Sequence, residues 1–130
     1  MPLITREQVI QSNNFDIVKV DVSEWGEINP ETGKPDEAWV FVREMSAREK
    51  DQFESSQLEI KKEQLQRNVK DLRARLAVIV CCDESRNPIF HPCDVEWLTN
   101  QNVRPLSRIA NAAKKLNDIS GEDEEELVKN

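Results

Sequence analysis

Four residues within thirteen positions carry the soft-ligand and nucleophile chemistry of this chain: Cys81, Cys82, His91 and Cys93. Three thiols and an imidazole are the right inventory for tetrahedral zinc, but their spacing is not. Structural zinc sites present cysteine pairs a few residues apart so that both thiolates turn toward one ion, whereas adjacent cysteines project differently. Two buried thiols acting as small apolar groups are the simpler reading of Cys81 and Cys82. The string His91-Pro92-Cys93 shares part of a zinc-deaminase signature, which also requires a His-x-Glu and a second cysteine three positions on. Both are missing from the sequence. A nucleophilic Cys93 with His91 as its base would need an orienting third residue, and such pairs normally come from distant segments. His91 is the single histidine. The expectation is a chain with no catalytic, cofactor-binding or metal site and with no enzymatic activity.

Charge and length narrow the remaining classes. The 130 residues make one domain, expected over residues 1–120 with an acidic tail at 121–130. The formal charge is −7, from 25 acidic against 18 basic residues, and phosphate binding rests on accumulated positive charge, so no nucleic-acid partner is expected. No run approaches the roughly 18–20 apolar residues of a membrane span, and the start MPLITREQVI lacks a leader's apolar block. Three cysteines are an odd, poorly spaced set for a disulfide framework and fit a reducing cytoplasm. One local exception is basic: Lys61, Lys62, Arg67, Lys70, Arg73 and Arg75 stand against Glu63 and Asp71, a docking face for an acidic partner or for the tail.

The elements that would position these residues read as follows. Thr5 with Gln8 has the form of a capping box and predicts a short helix to about residue 13. Residues 15–22 alternate β-branched with polar side chains and predict a half-buried strand, with residues 38–42 as its partner. The linker at residues 23–37, far longer than a tight hairpin, is expected to project, pinned by Trp25. From residue 36 to 87 there is no glycine or proline. Ser46 with Glu49 predicts a second capped helix start. Leu58, Leu65, Val69, Leu72, Leu76 and Ile79 then fall on one helical stripe, which predicts a long central helix to Val80, with a break at Ser55 and Ser56 as one option. Residues 78–82 suit a strand by propensity or the end of that helix; the phase of Leu72 and Leu76 favours helix. Residues 83–88 (DESRNP) predict a turn. A short helix follows at residues 94–98, and another runs from Pro105 to about Leu116 with an apolar stripe at Leu106, Ile109, Ala110 and Ala113. The fold class is α+β, mainly helical: a two-stranded N-terminal element packed on the long helix, two shorter helices, and the acidic tail.

The order of these pieces resembles the tail assembly chaperones of long-tailed (siphovirus-type) bacteriophages and prophages. The segments that carry it are VREMSAREKDQFE, LRARLAVIVCCDESRNPIF, DVEWL, LSRIANAAKKLN and the ending EEELVKN, with Ser46, Arg73 to Arg75, Asp83, Glu84, Phe90, Asp94 and Val95 at the matching positions. The resemblance implies a non-enzymatic phage or prophage protein that binds the tape-measure protein and tail-tube subunits during assembly. It would act in the host bacterial cytoplasm, be absent from the mature virion, and allow a homo-oligomer. The alternative is a small tail or neck component retained in the particle. Covering the apolar stripes of a helix-rich client calls for an amphipathic groove, expected between the central helix and the helix from Pro105 to Leu116.

Overall fold

The computed structural model describes residues 2–12, 14–56, 58–61, 64–67 and 71–119. Thr5 Oγ1 accepts from the Gln8 N–H while Gln8 Oε1 accepts from the Thr5 N–H at 2.7 Å, and this closed capping box starts α1, Arg6–Gln11. β1, Ile17–Asp21, runs antiparallel to β2, Trp39–Arg43, with Val18 opposite Val42 and Val20 opposite Val40. The linker between them is ordered. It opens with a 3-10 turn at Ser23–Trp25 and folds into a small arm bridged between Ile28 and Pro35. Gly26 permits the return of this arm, because a Cβ there would lie 2.0 Å from the Asp36 carbonyl oxygen. Trp25 packs against the core, as expected of an anchor.

α2, Ala47–Ser56, is followed by an antiparallel hairpin of β3, Leu58–Lys61, and β4, Gln64–Arg67. α3, Leu72–Val80, leads straight into β5, Cys81–Cys82, which pairs antiparallel with β2 through Val42 and Phe41. A turn at residues 83–87 is held by Asp83, whose carboxylate accepts from the Ser85 and Asn87 N–H groups at 2.8 and 3.0 Å. The last helices of the described residues are α4, Val95–Leu98, and α5, Val103–Leu116. The sheet order is β1-β2-β5. One cluster holds Val20, Val42, Phe53, Leu76, Val80, Leu98, Ile109 and Ala113, so sheet, α2, α3 and α5 share a single core.

Three expectations are corrected. The long central helix is two helices separated by a hairpin: Leu58 and Leu65 of the expected stripe belong to β3 and β4, and Val69 lies outside the described residues. The reason is reach. At 1.5 Å per residue an unbroken helix would hold Phe53 and Val80 roughly 40 Å apart, yet both lie in one core, 3% and 0% exposed. Ser56 Oγ donates to the Phe53 carbonyl at 2.6 Å and the Arg75 guanidinium donates to the Ser56 carbonyl at 3.2 Å, satisfying acceptors where α2 stops. Of the basic set, Lys61 and Arg67 accordingly lie on β3 and β4 and Arg73 and Arg75 on α3, while Lys62 and Lys70 lie outside the described residues. The sheet has three strands, because Cys81 and Cys82 leave the helix to pair with β2, and it packs on α5 and α3. The acidic tail lies outside the described residues.

Burial separates two leucines of the same sequence stripe. Leu76 is fully buried, whereas Leu72 lies partly exposed at the start of α3. Leu76→Ala should lower stability by about 2–5 kcal/mol through lost transfer energy and the cavity left behind, and Leu72→Ala by clearly less. Urea denaturation checks both, and equal losses would place Leu72 in the core.

Candidate functional site

The corrected path of the chain creates a surface that a continuous helix would not. α2 and α3 are tied to each other at both ends, by Arg43 through Glu49 and the Ile79 carbonyl and by Arg75 through Ser56, and the segment from Pro88 to Val95 completes the wall of one surface depression. Between them is a groove of about 430 Å³. Its apolar lining comes from Phe53 of α2, Val78 and Ile79 of α3, and Phe90, Pro92 and Val95 of the crossing segment. Groove and expectation differ in place: this groove lies between α2 and α3, while α3 and α5 pack directly on each other in the core.

An ion pair bounds the groove on one side. Arg43, on the last position of β2, donates to Glu49 through two parallel bonds of 2.8 and 2.5 Å. The same guanidinium reaches the Ile79 carbonyl at 3.0 Å and the Glu44 carbonyl at 3.1 Å. Glu49 also closes the expected capping box, accepting from the Ser46 N–H at 3.0 Å while its own N–H donates to Ser46 Oγ at 3.2 Å. The Arg43 hydrogen bonds hold the Glu49 carboxyl well below its usual range, at about 2, against the opposing effect of burial. Bidentate pairing of this kind fixes geometry as well as charge. Arg75 also lines the groove, its guanidinium donating to Ser56 O and Oγ at 3.2 Å each; burial presses its pKa down, with the Asp71 charge opposing.

The crossing segment is held by Asp94, one of the family-matching positions. Its carboxylate accepts from the His91 N–H at 2.8 Å and from Trp97 Nε1 at 2.9 Å, and these bonds lower its pKa. Trp97 in turn meets Phe90 edge-on, with centroids 6.1 Å apart. Phe90 is thereby presented to the groove from a braced turn.

The four residues singled out for chemistry are split. Cys81 and Cys82 are buried in the core on β5, while Cys93 is exposed on the 3-10 turn at Pro92–Asp94, its Sγ 4.0 Å from Asp94 Oδ1. Burial pushes the Cys81 thiol up to about 12 and raises Cys82 as well. Among the described residues no three His, Cys, Asp or Glu side chains converge as a metal cage. Arg43, Phe53 and Ile79 are the groove residues that sequence reasoning did not assign to a site. The Ser46–Glu49 box pointed to half of the ion pair; nothing local pointed to Arg43.

Two outcomes check this geometry. Glu49 has a folded-state pKa below its ordinary 4.5, so the pair's stabilisation is fully present above about pH 5 and lost as pH falls toward 2. Glu49→Gln should cost about 1–3 kcal/mol at pH 7, and the gap between wild type and variant should close by about pH 2 in acid-titrated denaturation curves. A gap independent of pH would remove the ion pair as its source. In the native state a thiol reagent should modify Cys93 first, with Cys81 and Cys82 reacting only on unfolding.

The arrangement is an apolar floor with room for one or two large side chains, bounded by fixed charge. Among the described residues no helix is long and apolar enough to cross a membrane. No curated protein is significantly similar in sequence to the chain. The fold is similar to that of the solved tail assembly chaperone of bacteriophage HK97, with a TM-score of 0.51, 21% identity, and coverage of 85% of this chain and 90% of that one. Residues 6–130 match the phage tail assembly chaperone family, and with nearly the whole length matched, the chain belongs to that family.

Proposed function

We propose that the protein binds the tape-measure protein and tail-tube subunits during tail assembly, in the host bacterial cytoplasm, and leaves before the virion is complete. The observation that carries this reading is the groove of Phe53, Val78, Ile79, Phe90 and Val95. It suits a client helix presenting one or two bulky apolar side chains per turn, which is the helix-in-groove mode of recognition. An apolar floor gives affinity without demanding a particular sequence, and the Arg43–Glu49 edge sets orientation. A reversible chaperone needs both properties, because its client must later be surrendered to the growing tail. Residues 1–120 act as the folded body and residues 121–130 as an acidic, solubilising tail.

Co-expression with the tape-measure protein of the same genome should give a soluble complex. Phe90→Ser, at the mouth of the groove, should weaken that complex about ten-fold or more, as expected for loss of a buried aromatic contact, with far-UV circular dichroism unchanged. Failure to bind either tape-measure or tail-tube protein at micromolar concentration would overturn the assignment of clients. Stoichiometric protein in purified virions would point instead to a retained tail component.

A further inference from the structure

A groove of this size with an apolar floor is exposed in the absence of a client, and the chain itself contains a segment of matching chemistry. Residues 120–130, outside the described residues, read SGEDEEELVKN: five consecutive acidic residues at 122–126, followed by Leu127 and Val128. The point from which this segment starts is fixed. α5 ends in a Schellman closure, with Asp118 in the left-handed region at φ 56 and the Ile119 N–H donating to the Lys114 carbonyl at 2.8 Å. Asn117, 7% exposed, accepts from the Met45 N–H at 2.6 Å through Oδ1 and donates to the Ala113 carbonyl at 2.9 Å. The end of α5 is thus tied to the β2–α2 junction, two residues from Arg43 and one from Ser46. Leu127 is eight steps along the chain from Ile119, with seven residues between them, which extended chain can stretch to roughly 26 Å. That is ample to pass from the junction onto a groove that begins at Arg43.

We propose that residues 120–130 of the same chain occupy the groove when no client is bound, with Leu127 and Val128 on the floor of Phe53, Ile79 and Phe90 and the acidic run toward Arg75. The inference deepens the proposed function and rests on the groove being the client surface. Tail and client then compete for one site, so the apolar floor is shielded from water and from self-association until a client with greater apolar area displaces the tail. The acidic run supplies charge complementarity to the guanidinium at the groove's edge, and such attraction acts over about 8 Å at physiological salt. The two aliphatic residues supply the burial.

The test compares amide resonances of the ¹⁵N-labelled full chain with those of the full-length L127S/V128S variant. Occupancy predicts shifts clustered at Phe53, Val78, Ile79 and Phe90. An unlabelled peptide of residues 118–130 added to the variant should move the same resonances back toward their wild-type positions, saturably. Leu127→Ser within the peptide should weaken that binding about ten-fold, and raising salt to about 0.5 M should weaken it further. Spectra that superimpose at the groove would overturn the proposal, as would wild-type shifts that grow with protein concentration, which would make the occupant a second copy's tail. No client is present in this experiment, so its failure leaves client binding standing, and failure of client binding leaves tail occupancy to be read separately.

Discussion

Arg43 is the one cation on which the relative placement of sheet and helices depends. Its guanidinium sits at the end of β2, and its N–H groups go to a side chain of α2, to a carbonyl of the last turn of α3, and to the backbone of the β2–α2 connection. A charge that is only 13% exposed must have its donors satisfied, since stripping water from an unpaired ion costs several kcal/mol. The three segments are therefore held to the one geometry that satisfies it. The groove follows from that geometry: Arg43 joins the start of α2 to the end of α3, Arg75 joins the start of α3 to the end of α2, and the two helices frame it between these ties.

Arg108 repeats the arrangement on the opposite side with less burial. It donates to the Asp21 carbonyl and to Glu24, linking α5 to the 3-10 turn that begins the projecting arm. The Glu24 carboxyl is lowered first by the Arg108 hydrogen bond. This pair is more exposed, about a third on each side, and contributes correspondingly less to stability. Its role is positional, keeping Trp25 against the core while the arm beyond Gly26 extends into solvent.

What the sequence shows and what it hides divide along the range of the interactions involved. Both capping boxes, the paired strands, the turn at Asp83 and the apolar stripe of α5 are local patterns, and each is where it reads. The hairpin of β3 and β4 is not legible, because residues 57–70 are good helix formers whose stripe continues in phase with α3. The deciding fact is the shared burial of Phe53 and Val80 in one core although they stand 27 positions apart. The two-residue strand at Cys81 has the same origin: its partner, β2, selects strand over helix. Phe90 and Val95 stand out as family positions, but their meeting with Phe53 and Ile79 around one groove depends on the whole path of the chain.

The hydrogen bond from Met45 to Asn117 spans 72 residues and is among the last that synthesis makes available. α5 supplies Leu106, Ile109, Ala110 and Ala113 to the core, so the sheet and α3 cannot bury their inner faces until that helix has left the ribosome. High sequence separation of this kind slows folding, because loop closure precedes the contacts that reward it. Until then the nascent chain exposes the same apolar residues that the finished molecule keeps inside. The protein thus passes, during its own synthesis, through a stage of open apolar surface, and α5 is the segment that ends it.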